Sequence, residues 1–340
     1  MEWTVAIGID THRERHSACA LDALGRPLGE LELSADESGY RLLAAWARSL
    51  GEPAFALEGS GSYGAGLARH LAEHGERVYE CERPTRRDRR RGKSDRIDAA
   101  AAARRLLAGE GLARLRGFGE REQLRVLLLE RRSARQAQSA ALNQLHALVI
   151  TAPPTLRERL ETLRGLALAR RSARLRRQDS PAPSLRRLGR RALALAAELE
   201  TIDGELTTLV RRLAPTLLEE CGVGPVCAAQ LLVSAGDPQR MRSEAAFAAL
   251  AGTSPVDASS GRQQRHRLNR GGDRQLNAAL YMIALNRKHA HATTRAYYER
   301  LQASGKTKRE ALRCLKRMLA RHFYHLLQDA TQENTAPTRT

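Results

Sequence analysis

The chain has 340 residues, of which 57 are Lys or Arg and 38 are Asp or Glu, so its formal net charge is +19 and its isoelectric point about 10.8. So basic a balance excludes an ordinary acidic enzyme and requires an anionic partner. With 42% hydrophobic residues the chain can build real cores, and its length favours two domains or slightly more, since single cores stop growing at roughly 250–300 residues. Only five of the basic residues are lysines. Arginine suits bidentate phosphate contact, although a GC-rich genome enriches arginine and alanine together. The cysteines, Cys19, Cys81, Cys221, Cys227 and Cys314, include no C-x-x-C pair, which argues against a zinc ribbon or a disulfide framework. The segment from Met1 to Gly8 lacks a signal-peptide pattern, and no run reaches the roughly 18 apolar residues of a membrane span. An intracellular, soluble protein is expected.

In chain order, residues 3–33 hold three short apolar runs broken by turn signals, WTVAIGID, HSACALD and Leu28 to Leu33, which predict three strands. A helix over Glu37 to Leu50, a strand in PAFALEGS, a helix over Gly64 to His74 and a strand in ERVYEC follow. Strands alternating with helices predict an α/β domain with a partly parallel sheet. ERPTRRDRRRGK then reads as a solvated basic loop, and a helix from Ser94 or Asp95 runs to Leu107. Helices are predicted over Glu120 to Val149 and Leu156 to Arg177, separated by Pro153-Pro154. Leu195, Leu199, Ile202, Leu206, Leu209 and Leu213 step by four and three, a heptad seam suited to a helical hairpin or coiled coil. CGVGPVCAAQLL reads either as a helix-hairpin-helix turn whose amides meet a phosphate backbone or as an ordinary tight turn. Residues 252–273 form a polar loop, helices follow at about 274–290, 293–303 and 307–327, and a disordered tail is expected after Asp329.

Two carboxylates fall at the ends of predicted strands, Asp10 and Glu58, where an α/β sheet opens its usual site. Asp95 and Asp98 stand three apart at a helix start and project from one face. Four carboxylates so placed repel one another unless divalent cations lie between them, and two Mg²⁺ ions bridged by such a set serve phosphodiester cleavage. Plainer alternatives are a capping box for Asp95 with Asp98, an Asx turn at Asp10 and a surface role for Glu58. Gly92-Lys93-Ser94 and Gly305-Lys306-Thr307 mimic the end of a phosphate-binding loop, but Arg87 and Arg300 occupy the position where that motif needs its first glycine. The ten histidines supply no zinc-type ligand set.

GIDTH at 8–12, ALEGSGSYG at 56–64 and KSDRIDA at 93–99 resemble the D, E, D, D motif of transposases of the IS-one-ten family. The later GVGPVCAAQLL, FAALAGTSPVDASSG and LNRGGDRQLNAALY are similar to that family's C-terminal transposase domain. The resemblance covers residues 4–327. It implies a RuvC-like, ribonuclease-H-like α/β domain over 1–112, a helical coiled-coil region over 113–215, a mainly α transposase domain over 216–328 and a tail over 329–340. It also implies an enzyme that moves its own insertion sequence, joined covalently to DNA through a serine, with Mg²⁺ on Asp10, Glu58, Asp95 and Asp98. That serine corresponds to Ser260, with Ser259 and Ser254 as rivals. A structured guide RNA and double-stranded donor and target DNA complete what the resemblance implies, while the heptad seam and the several active centres that exchange between two DNA sites needs predict a homodimer that becomes a tetramer on DNA.

A serine hydroxyl needs a base or a metal to act as a nucleophile, and Ser260 has no obvious base nearby, since His266 reads as a phosphate contact or a solvated side chain. Arg262, Arg265, Arg267 and Arg270 surround it and suit phosphate contact, as do Arg86, Arg87, Arg89, Arg90 and Lys93 in the first basic loop. A solvated basic loop is the alternative for each group. Aromatic residues make up only 4% of the chain, so backbone contact rather than base stacking is expected. A RuvC-type junction nuclease that uses water, and an inactive nucleic-acid-binding relic, remain the competing functions.

Overall fold

The computed structural model describes residues 3–81, 95–115, 118–176, 178–236, 243–257, 266–267, 269 and 271–335. The chain divides into two compact units, Met1–Phe118 and Gly119–Thr340.

The first unit is built on a six-stranded mixed sheet of order β3-β2-β1-β4-β5-β6, comprising β1 (Val5–Thr11), β2 (Arg15–Asp22), β3 (Pro27–Ser34), β4 (Pro53–Glu58), β5 (Arg77–Cys81) and β6 (Leu112–Arg114). β1 pairs antiparallel with β2 and parallel with β4, and β4 pairs parallel with β5. Each parallel step is made through a helix, α1 (Glu37–Leu50) or α2 (Ala65–Glu73), as parallel strands require. Side chains alternate across the sheet. Val5, Ile7 and Ile9 of β1 and Phe55 and Leu57 of β4 bury themselves with Leu43 of α1 and with Leu67 and Leu71 of α2. Ala6 of β1 and Ala54 and Ala56 of β4 face the other way and pack on Ala99, Ala102 and Ala103 of α3 (Asp95–Ala108). This small-residue face lets α3 approach closely. A Cβ built on Gly8 would stand 2.0 Å from the carbonyl oxygen of Ala99 and 2.2 Å from the amide nitrogen of Ala103. The strand order is compatible with a ribonuclease-H-like domain.

Among its described residues the second unit's regular structure is helical apart from one small ladder. Its spine is a pair of long helices, α4 (Glu120–Ile150) and α7 (Ala182–Leu213), which serve two cores. One core joins the C-terminal half of α4 (Leu145, Val149) to α5 (Pro154–Arg157), α6 (Gly165–Ala173) and the start of α7 (Ala182, Leu185, Ala192). The other joins Leu124 and Leu128 of α4 and Ile202, Leu206 and Leu209 of α7 to α8 (Thr216–Glu219), α9 (Pro225–Ala235), α10 (Glu244–Leu250), α11 (Arg274–Ala290), α12 (Ala292–Ala303) and α13 (Lys308–Thr335). The inner residues of the heptad seam are therefore covered within the chain.

Several expectations change. The single helix over 156–177 is two, because turns occupy 158–162 and Gly165 adopts φ +53°, a left-handed conformation that interrupts a helix. β6 escapes the sequence pattern because three residues are too few to show alternation. The polar loop over 252–273 carries a two-rung antiparallel ladder, β7 (Val256–Asp257) with β8 (His266–Arg267). The last helix continues to Thr335, past Asp329 where a disordered tail was expected. At the glycine-rich turn, Gly222 takes φ +81° against α11, where a Cβ would come within 3.1 Å of the side chains of Asn286 and Arg287. Glu220 fastens the same turn by accepting from Arg287 at 2.5 Å and pairing with His322 Nε2 at 3.0 Å.

Replacing Gly8 with alanine is expected to force α3 off the sheet. Thermal or urea unfolding of the full chain should show a loss of at least about 1–3 kcal/mol, the usual cost of overpacking a tight core; unchanged stability would contradict the close approach of β1 and α3.

Candidate active site

Asp10 lies one residue before the end of β1, and Glu58 ends β4. The parallel register pairs Ile9 with Leu57, so the next residues, Asp10 and Glu58, leave the sheet side by side. Both share the strand parity of the small residues that pack on α3. The first turn of α3, which Gly8 admits so closely, carries Asp95 and Asp98. Three groups meet at one point: His12 Nε2 is 3.2 Å from Asp10 Oδ2 and 3.2 Å from Asp95 Oδ1. Among the described residues, Asp10, His12 and Asp95 are the group whose ligand atoms all lie within 4.8 Å of one another. Glu58 stands on the neighbouring strand and Asp98 one turn along α3.

Asp10 is 8% exposed, and burial pushes its carboxyl above the usual carboxylate range. His12 opposes that rise, while the charges of Asp95 and Asp98 add to it. The strand ends are tied together by Thr11, whose hydroxyl donates to the backbone oxygen of Glu58 at 2.6 Å. A Cβ on Gly64 would come within 2.9 Å of the Thr11 methyl, so the turn after β4 closes onto the same residue. Behind His12, the fully buried His16 accepts the His12 backbone N–H on Nδ1 at 3.3 Å and stacks on Tyr40 with centroids 6.0 Å apart and planes 2° from parallel. Burial lowers the His16 pKa and favours its neutral form.

The donor chemistry fits a divalent cation. Hard carboxylate oxygens dominate, and metal–ligand bonds of about 2.0–2.1 Å place neighbouring donors of an octahedron about 3 Å apart, close to the 3.2 Å separations at His12. A cation there would also offset the burial, and the charges of Asp95 and Asp98, that raise the Asp10 pKa. His12 was not singled out in the sequence. The signal was present, because residue 12 shares the parity of residue 10 at a strand end and an imidazole is a common ligand.

Ser260, Arg86, Arg87, Arg89, Arg90, Lys93, Arg262, Arg265 and Arg270 lie outside the described residues, as do Ser259 and the side chain of Arg267. The segments flanking Ser260 are nonetheless firmly held. β7 and β8 pair on either side of it. Asp273 caps α11 by accepting from the amides of Gln275 and Leu276, takes the Ser234 hydroxyl at 2.5 Å and donates its own amide to Leu250 at 2.6 Å. Asn277 donates to the carbonyl of Ala251 at 2.6 Å and accepts from the almost buried Lys316 at 2.8 Å. Gly272 fits because a Cβ there would stand 2.4 Å from the carbonyl of Leu250.

Comparison with known proteins places both units beside the same group of enzymes. A family model for DEDD transposases of IS110, described as a transposase, matches residues 7–154. A second, described as the transposase IS116/IS110/IS902 family, matches residues 214–299. The chain is 33% identical over 141 residues to a 43.6 kDa protein of insertion element IS110 from Streptomyces coelicolor, covering 41% of this chain and 35% of that protein. It is 29% identical over 165 residues to a 42 kDa protein of insertion element IS900 from Mycobacterium paratuberculosis, covering 47% and 41%. The matched stretches thus span about two fifths or less of those relatives' lengths. The chain resembles transposases of the IS110, or IS-one-ten, family in both of its units. No helix among the described residues is long and apolar enough to cross a membrane.

Because the folded-state pKa of Asp10 is raised, the metal-free protein loses stability as pH rises from the ordinary carboxylate value through the raised one. Asp10→Asn is therefore expected to melt at a higher temperature than wild type at pH 7 in EDTA. Saturating Mg²⁺ or Mn²⁺ should reverse the order, since a cation at about 100 times its Kd adds about 2.7 kcal/mol to the form that binds it. Thermal shift in EDTA and in each metal checks both statements.

Proposed function

We propose that this chain is an insertion-sequence transposase acting as a site-specific DNA recombinase. It cuts and rejoins DNA at a RuvC-like centre of Asp10, Glu58, Asp95 and Asp98, with Ser260 as the nucleophile. The observation that carries the reading is the convergence of Asp10 and Asp95 on one point beside Asp98, in a segment matched by a DEDD transposase model. Mg²⁺, two ions in the full set, is the cofactor such hard oxygen donors favour, and when bound it supplies charge neutralisation at the scissile phosphate.

The chain's own groups do the rest. Asp10, Glu58, Asp95 and Asp98 hold the metal, and Thr11 keeps the two strand ends at one height. Ser260 Oγ attacks phosphorus; the new O–P bond forms as a bond to one DNA oxygen breaks, the departing oxygen takes a proton, and the serine proton passes to solvent. A hydroxyl of the second DNA strand then displaces the serine in the reverse sense. Arg262, Arg265, Arg267 and Arg270 hold phosphates around that step and offset its developing charge, while Arg86, Arg87, Arg89, Arg90 and Lys93 follow the backbone. A net charge of +19 with few aromatic residues suits long stretches of duplex and a structured guide RNA that pairs with donor and target. Exchange between two DNA sites needs several active centres, so a homodimer that assembles to a tetramer on DNA is the working unit.

The test is to incubate the protein with DNA and transcripts from the flanks of its own gene, digest it, and search by mass spectrometry for a nucleotide adduct. Wild type should carry the adduct on Ser260, and both Ser260→Ala and Asp95→Ala should lack it, with strand cleavage lowered on the order of a thousandfold or more. Full Mg²⁺-dependent cleavage by Ser260→Ala would replace the serine mechanism with water attack, and absence of both adduct and cleavage would leave a nucleic-acid-binding relic.

A further inference from the structure

The segment from Arg157 to Arg191 contains twelve arginines and no lysine, against Glu158, Glu161 and Asp179, for a net charge of +9 within a chain of +19. About a tenth of the sequence therefore carries nearly half of the net charge. A genome-wide taste for arginine does not explain it, because the C-terminal half of α7, with Glu198, Glu200, Asp203 and Glu205, leans the other way.

The structure makes a surface of this segment. α6 and α7 meet backbone to backbone: a Cβ on Gly189 would stand 2.6 Å from the carbonyl oxygen of Ala169 and 2.9 Å from the amide of Ala173. Leu168, Ala169 and Ser172 of α6 and Leu185, Gly189 and Ala192 of α7 are buried. That leaves Arg170 and Arg171 exposed on α6, Arg174 exposed at its C-cap, and Arg187, Arg190 and Arg191 exposed on α7. Among the described residues no carboxylate lies within ion-pair distance of any of these six, whereas Arg125, Arg131, Arg157, Arg212 and Arg287 elsewhere in the unit are paired.

Helix stability does not account for the arrangement and is spent on it. Arg170 with Arg174, and Arg187 with Arg191, are like charges four apart, and each such pair costs a helix a few tenths of a kcal/mol. On α7 the cations sit toward the N-terminus and the acids toward the middle, opposite to what the helix dipole favours. Neither first turn contains an acidic residue.

From these observations we infer that the outer faces of α6 and α7 form a binding surface for the sugar–phosphate backbone of duplex DNA, read without regard to sequence. The chain from 119 to 246 contains no Phe, Tyr or Trp, so the surface has no platform on which to stack single-stranded bases. The arginine-bearing faces of α6 and α7 also carry no amide side chain to read base edges, and their hydroxyls are taken up, Ser172 being fully buried and Ser184 accepting from Arg187 at 3.2 Å. Guanidinium groups that contact phosphate oxygens are what remains. The inference shares with the proposed function only its substrate, and binding measured in EDTA keeps the two separable.

The experiment compares full-length wild type, Arg187→Gln/Arg190→Gln/Arg191→Gln on α7, Arg170→Gln/Arg171→Gln/Arg174→Gln on α6, and a charge-matched control, Lys306→Gln/Lys308→Gln/Arg309→Gln, after circular dichroism has checked the fold of each. Fluorescence anisotropy with a 30-base-pair DNA of arbitrary sequence, with the RNA duplex of the same sequence, and over a salt series gives affinity and the slope of log K against log salt. Each lost phosphate contact lowers the DNA slope by about 0.9, so either patch variant should lose about 2 to 3 in slope and at least about tenfold in DNA affinity near 100 mM salt. The control should stay within about twofold of wild type. Equal losses in control and patch variants would reduce the effect to net charge and overturn the inference. A loss confined to the RNA duplex would overturn it in favour of an RNA surface, and unchanged binding in both patch variants would overturn it outright.

Discussion

The first unit hangs on one contact between backbones. At Gly8 the central strand offers no side chain, and α3 comes so near that a single methyl group would overlap the carbonyl of Ala99. Everything at the candidate site is downstream of that approach. The helix that lies there begins with Asp95 and Asp98, and the strand it lies on ends in Asp10 and Thr11. Glycine in the strand and alanines in the helix are weak contributors to hydrophobic burial, so the fold gives up core volume to bring acidic groups together. The raised pKa of Asp10 is the electrostatic side of the same bargain.

Much of this was legible from the residues. In β1 the order Val5, Ala6, Ile7, Gly8, Ile9, Asp10 alternates large apolar with small or polar, and both faces of the sheet follow from it. The helices α1 to α4, α11, α12 and the start of α13 lie close to where periodicity and capping residues put them, because amphipathic faces over two or more turns are strong signals. The break near Gly165 was missed since Leu156, Leu160 and Leu163 keep helical spacing across it, and spacing says nothing about a positive φ. β6 and the β7–β8 ladder were missed for want of length, as they are made by pairing rather than by pattern.

The candidate site was read unevenly for a related reason. Carboxylates at strand ends and at a helix start are visible in one dimension, and the resemblance at GIDTH and KSDRIDA drew attention to them. The role of His12 depends on where α3 lands and on His16 receiving its backbone amide, neither of which a linear pattern contains. Along the sequence the arginines of α6 and α7 are only a density of charge. Only the folded helices separate buried Leu185 and Gly189 from exposed Arg187, Arg190 and Arg191, and so convert composition into a face.

α7 is a single long rod shared by both helical cores. Its 32 residues span about 48 Å at a rise of about 1.5 Å per residue. One end is gripped by the core beneath the arginine surface, the other by the core that includes α9 and α11, whose first residue follows the capping Asp273. On that length a tilt of only about 5° about one core would correspond to a shift of about 4 Å at the other.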